Sequence, residues 1–255
     1  MSEPAPALVA PALVAVAHGS RDGRSAATMH RLVQAAAAQA PGLDVRLSFL
    51  DFNAPRLADV LHAVAADGHR RAVVVPLLLG AAYHARVDVP AAVEAATTRL
   101  PHLRVTVSPV LGDDPAPLLA AARARLTEAG AALDDPHTGV VLAAAGSSHQ
   151  RANDVVRGLA AGLPRAVAAF ATSAEPTVDD AIAQLRTVGA QRIVVLPWFL
   201  APGRLLDRVE ARALDADPTA IVAEPLGDHP LVAATMLARH RTGAASPLVA
   251  LVDAG

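Results

Sequence analysis

Arg71–Leu79 reads RAVVVPLLL, and Arg192–Leu200 reads RIVVLPWFL. Each is an arginine followed by an unbroken apolar run, with proline at the same place. Short Val- and Leu-rich runs without polar alternation suit strands buried on both faces. In an α/β protein that means a parallel sheet covered by helices. Two copies in one chain of 255 residues raise the question of a duplication.

The surrounding sequence answers it. LGDDP at Leu111–Pro115 returns as LGDHP at Leu226–Pro230. FLDFNAP at Phe49–Pro55 matches FATSAEP at Phe170–Pro176, and AHGSR at Ala17–Arg21 has a weaker echo in AAGSS at Ala144–Ser148. The order is the same in both halves, with a period of roughly 120 residues. The polar segment LDDPHTG, Leu133–Gly139, separates them. The expected organisation is a flexible arm over 1–12, one domain over 13–133 and a degenerate copy over 139–245.

Within each half, apolar runs alternate with segments of helical period. Strands are predicted at Leu13–Ala17, Val45–Leu50, Ala72–Leu79 and Arg104–Ser108, with helices at Arg24–Ala40, Pro55–Ala66, Val87–Arg99 and Pro115–Ala129. Leu57, Val60, Leu61 and Val64 fall at i, i+3, i+4 and i+7, one helix face. The second half repeats the pattern, with strands near Val140–Ala144, Ala166–Ala171, Arg192–Leu200 and Ala220–Ala223. The predicted fold class is therefore α/β: two tandem-duplicated, doubly wound parallel-sheet domains of four strands each, with a cleft between them.

Composition narrows the function. The chain is 53% hydrophobic, enough for a sizeable core, and its net charge of −2 does not favour nucleic acid or an anionic membrane as partner. Aromatic residues make up 2%, which argues against base-stacking surfaces. Cysteine is absent, so thiolate metal sites are excluded and any metal must be held by histidine, carboxylate or a ligand's own atoms. The first residues carry Glu3, Pro4, Pro6 and Pro11 and no basic leader, and no apolar run reaches the ~20 residues of a membrane span. A cytoplasmic protein is expected.

In open α/β sheets, ligands bind beyond the carboxyl ends of the strands. His18 follows the first strand directly, and Gly19 and Ser20 let the backbone turn into a helix whose first N–H groups can hold an anion. Asp51 closes the second strand, and His84 follows the third after the loop GAAY. All three are expected at one rim of the first sheet. Two imidazoles and a carboxylate suit a borderline divalent metal such as cobalt, nickel, iron or zinc. They equally suit proton removal near neutral pH. Loop histidines bonded to backbone, and an aspartate capping the next helix, would look the same by spacing.

The second half keeps the scaffold but not these groups. Ala145 stands where the first half has His18, Leu205 aligns with His84, and Thr172 with Asp51. Two copies of a purely structural residue would be needed alike. The loss therefore fits one active rim facing a supporting rim, where Gly146, Ser147 and Ser148 still offer donors.

The segments VAHGSRD, FLDFNAP and PLLLGAAYHARVDVP together resemble the CbiX/SirB-type sirohydrochlorin chelatases, the class II chelatases of tetrapyrrole metabolism. The resemblance covers nearly the whole chain, since long members of that family are two fused halves. It implies ATP-independent insertion of Co²⁺ or Fe²⁺ (with Ni²⁺ or Zn²⁺ in vitro) into sirohydrochlorin, for cobalamin or siroheme, with no permanently bound cofactor. It implies that His18 and His84 handle the metal and that Asp51 occupies the place of the family's usual Glu, one methylene longer. A neutral imidazole can hold metal weakly and accept a pyrrole proton, while Asp51 takes a second or fixes a histidine's tautomer. The substrate's many carboxylates would meet Gly19, Ser20, Arg21, Arg86, Gly146, Ser147 and Arg204; each arginine could equally be a solvated surface charge. His149 opens the helix at the second rim and could touch substrate. Trp198 reads as core. His30, His62, His69, His102, His137, His229 and His240 are expected on the surface, away from the rim. A fused pair needs no second subunit, so a monomer is expected. The competing readings are a catalytically weak metal- or tetrapyrrole-binding protein and a solute-binding α/β protein with incidental histidines.

Overall fold

The computed structural model describes residues 10–80, 88–133 and 135–246. In chain order the elements are β1 (Ala12–Ala17), α1 (Gly23–Gln39), β2 (Val45–Phe49), α2 (Leu57–Ala66), β3 (Arg71–Pro76), α3 (Val89–Thr97), β4 (Arg104–Val107) and α4 (Ala116–Glu128). The second half follows as β5 (Thr138–Ala144), α5 (Gln150–Ala161), β6 (Ala166–Phe170), α6 (Val178–Thr187), β7 (Arg192–Pro197), α7 (Arg204–Ala216), β8 (Ile221–Val222) and α8 (Pro230–Ala245). The strands form two parallel four-stranded sheets, ordered β2-β1-β3-β4 and β6-β5-β7-β8. The duplicated, doubly wound α/β architecture predicted from the repeats is the one observed.

The strands are shorter than their apolar runs. Leu77 still donates its N–H to Val16 O, but Leu78 N–H turns back to Pro76 O, and Leu78 O accepts from Gly112 N–H. Leu77 belongs to the central core and Leu79 packs against it, which is why the run stays apolar after Pro76.

Side-chain alternation along the strands builds three layers of core. Ala12, Val14 and Val16 point outward with Val74, against Leu57, Leu61 and Val64 of α2 and Val89 and Val93 of α3. Val141, Ala143, Ile193 and Val195 do the same on the far side, against α6 and α7. The intervening residues, Leu13, Ala15, Val73 and Val75 from the first sheet and Val140, Leu142, Val194 and Leu196 from the second, belong to a single central core. Into it α1 contributes Leu32, α4 Leu118 and Leu126, α5 Val156, and α8 Val232 and Met236. Trp198 is there too, 5% exposed, as the packing reading expects.

The last helix of each repeat crosses over. α8 lies against β3 and β4 of the first sheet, and α4 against β7 of the second. The fit of α8 is close: a Cβ on Gly243 would stand 2.5 Å from Val73 Cγ1. Arg71 donates to Ala244 O at 2.8 Å, and His240 Nε2 lies 2.8 Å from Pro11 O. His240, expected on the surface, is therefore 6% exposed. The reason is that α8 is covered on one side by a sheet from the other repeat, which its own periodicity does not announce. His69 also has a structural role, with Nε2 2.9 Å from an Asp44 oxygen.

Candidate functional site at the switch point

With the order β2-β1-β3-β4, the chain leaves β1 for the inner helix α1 and leaves β3 for the outer helix α3. The crevice where neighbouring strands send their helices to opposite faces is the place where open α/β sheets bind ligands. His18 follows β1 into that crevice and is exposed. His84 and Arg86, in the segment after β3, lie outside the described residues.

The rim around His18 is tightly built. Leu50 and Asp51 continue the ladder past β2, donating N–H groups to Ala17 O and His18 O at 2.9 Å each. Gly19 then passes so close to this strand that an added Cβ would sit 1.9 Å from Asp51 O, and its φ of +95° is one that glycine adopts freely. The His18 ring stands edge-on to Phe52, with centroids 6.1 Å apart, and the Arg21 guanidinium lies over the Phe52 ring, 5.3 Å from its centroid.

Asp51 is exposed and engaged. Its Oδ1 accepts from Phe52 N–H at 2.8 Å and from Arg56 at 3.1 Å. The Phe52 N–H, and after it Arg56, hold the carboxyl below its usual range, with a smaller contribution from His18. Asp51 is thus a charged carboxylate beside the imidazole at neutral pH, better suited to orienting a cation than to taking a proton.

Ser20 and Ser147 differ from expectation. Their N–H groups are not open to an anion: Ser20 N–H is donated to Asn53 Oδ1 at 2.7 Å and Ser147 N–H to Asn153 Oδ1 at 3.0 Å. Each hydroxyl oxygen accepts one backbone N–H, from Asp22 and from His149. The hydroxyl hydrogens remain as donors. Asn53 comes from the β2–α2 loop and Asn153 from within α5, so the repeats satisfy one requirement from different elements. The two asparagines do not align in the repeat, which is why the sequence comparison passes over them.

The second rim reproduces the backbone of the first. Gly146 has φ +86°, and a Cβ there would meet Thr172 O at 1.8 Å. His149 caps α5 through its backbone position and is exposed. Arg204, also exposed, is the first residue of α7. One turn later, Asp207 accepts from Arg24 at 2.6 Å, and Arg24 is also bound by Asp22, the residue capping α1. The mouth of the first rim is thereby tied to the helix that follows β7, and the two repeats open on the same side. Among the described residues, no group of three or more His, Asp and Glu side chains could hold a metal ion. No helix among them is long and apolar enough to cross a membrane.

This architecture, two sibling parallel sheets with a histidine directly after β1 and an alanine directly after β5, defines a class. The CbiX family model matches residues 12–129 and 139–242, and the chain belongs to the CbiX family. It is 25% identical over 244 residues to the sirohydrochlorin ferrochelatase of Bacillus subtilis (strain 168), covering 92% of each chain. It is 27% identical over 176 residues to the sirohydrochlorin cobaltochelatase of Priestia megaterium, a match that takes in 65% of this chain and 56% of that relative's length. In fold it is similar to SirB from Bacillus subtilis with Fe³⁺, with a TM-score of 0.78 and 24% identity over 92% of this chain and 96% of that one.

Proposed function

We propose that the protein is a sirohydrochlorin chelatase, inserting Co²⁺ or Fe²⁺ into the tetrapyrrole without ATP. The observation that carries this reading is the asymmetry of two rims built on matching backbone turns. The first presents exposed His18 beside charged Asp51, and the second presents Ala145 and Thr172 on the same backbone. A reaction that passes an ion into a flat ring needs one face that handles metal and one that holds the ring.

In this reading His18 and His84 take the metal, because neutral imidazole is a moderate ligand for Co²⁺ and Fe²⁺ and also accepts a proton. Insertion releases two pyrrole protons as the metal sheds water, and an open, weakly coordinating site lets the ion leave the protein for the ring. Asp51 steadies the cation and the His18 imidazolium. Arg21, Arg86, Arg204 and the hydroxyls of Ser20 and Ser147 meet the carboxylates of the ring, and Gly19 and Gly146 allow it close to the backbone. Both rims come from one chain, so a monomer suffices.

One observation favours a second reading, a protein that binds metal or tetrapyrrole with little turnover: both the Phe52 N–H and Arg56 already engage Asp51. Anaerobic incubation with sirohydrochlorin and Co²⁺ or Fe²⁺, followed by absorbance, separates the two. Insertion faster than in protein-free buffer supports the chelatase. A bound but unmetallated ring supports the second reading, and neither binding nor turnover rejects both.

A further inference from the structure

The loops after β2 and β6 have the same backbone and different side chains. Phe52 and Ser173 have φ values of 58° and 59°, and the peptides before Pro55 and Pro176 are both cis. Phe49 N–H bonds to Pro55 O and Phe170 N–H to Pro176 O, each at 3.0 Å. On this shared frame Asp51, Phe52 and Arg56 are replaced by Thr172, Ser173 and Thr177. Beside this loop the second repeat has a groove of about 650 Å³, lined by Thr172, Ser173, Glu175, Arg208 and Arg212 among others, where the first repeat has a smaller one of about 420 Å³ lined by Arg56.

The lining has the chemistry of a carboxylate receptor. Arg208 and Arg212 are four residues apart on α7 and so face the same way. Arg204, four residues earlier, continues the row toward the start of the helix. The Thr172 and Ser173 hydroxyls lie 3.3 Å apart, and either can donate outward. Arg212 makes an exposed contact of 3.3 Å with Asp179, and Glu175 is the groove's own carboxylate, so the charges balance and Arg208, which makes no ion pair among the described residues, is the guanidinium open to a ligand. The groove adjoins the second rim directly: Thr172 N–H bonds to Ala145 O at 3.1 Å, one residue before Gly146.

We propose that this groove receives a peripheral carboxylate arm of the polycarboxylate ring, with Arg208 and Arg212 as its anchors. The degenerate repeat would then set the ring's orientation while the first repeat supplies the metal. The inference rests on the chelatase reading. Guanidinium groups pair with carboxylates through two parallel N–H bonds, which fixes direction as well as adding affinity. A groove of this size also has room for the edge of the ring behind the arm.

The test titrates metal-free sirohydrochlorin, followed by absorbance, into the intact protein and into R208Q/R212Q and R208K/R212K, and measures KM and kcat for each. Both arginines are exposed, so folding should survive, and circular dichroism checks that it does. The expected result is a roughly tenfold rise in Kd and KM for the glutamine pair, a much smaller change in kcat, and partial rescue by the lysine pair. Equal binding by the wild type and the glutamine pair overturns the inference and leaves the chelatase reading standing. Failure of the wild type itself to bind the ring overturns both, and is seen before any variant is used.

Discussion

Arg24 near the start of α1 and Asp207 in the first turn of α7 are joined at 2.6 Å, an ion pair that ties the mouth of one repeat to the other. Asp22, which caps α1, grips the same guanidinium. Together Asp22 and Asp207 raise the affinity of Arg24 for its proton, keeping it charged at every accessible pH. Because the pair is exposed, it sets the spacing of the rims more than the stability of the fold.

Replacing Asp207 with Asn should therefore leave the melting temperature nearly unchanged and raise KM for the tetrapyrrole about twofold to fivefold. Steady-state kinetics at low salt, where exposed pairs are strongest, is the measurement. An unaltered KM with a large drop in melting temperature would show that the pair is a stability element instead.

Gly19→Ala and Gly146→Ala form a matched pair. Both add a Cβ onto a carbonyl oxygen at a positive φ, with clashes at 1.9 and 1.8 Å. Each should cost roughly 1–3 kcal/mol in denaturant unfolding. Only Gly19→Ala displaces Asp51 and His18, so its insertion rate should fall more than about tenfold, while that of Gly146→Ala falls less.

His18→Ala should lower kcat by about 10²-fold or more, as loss of a positioned proton acceptor and ligand predicts. His62→Ala is the control. His62 is exposed on α2, where its Nδ1 accompanies Ala58 O within its own helix. Comparable losses for the two variants would remove His18 from the chemistry.

His240 gives a pH dependence. Burial, first, pushes its pKa below 6.5, against an opposing contribution from its bond to Pro11 O. The unfolded chain therefore binds a proton that the folded protein resists, and stability falls as pH drops below about 6.5 toward the folded-state value. His240→Gln keeps a donor for Pro11 O and does not titrate. Thermal melts at pH 7.5 and 5.5 should show a smaller acid loss for this variant than for the wild type. His240→Ala is not a silent control, since leaving Pro11 O unpaired costs about 1–3 kcal/mol.

Much of this protein is written along the chain. The duplication is visible in RAVVVPLLL and RIVVLPWFL, and the parallel sheets in their unbroken apolar character. The placement of His18 and Asp51 at one rim follows from where their strands end, because parallel topology carries every strand's carboxyl end to the same edge. What periodicity expresses is that a face is apolar, not which apolar face it meets. Only the folded chain decided that α4 and α8 trade sheets, burying His240, and that all four inner helices share one core. Only three dimensions showed Asn53 and Asn153 taking the N–H groups of Ser20 and Ser147, because a hydrogen bond needs proximity and not alignment. Read along the chain, the residues specify the scaffold and bring His18 and Asp51 to one edge of the first sheet. The tertiary structure decided which donors at that edge are spent and which remain for a ligand, since solvation and pairing of a polar group depend on what packs beside it.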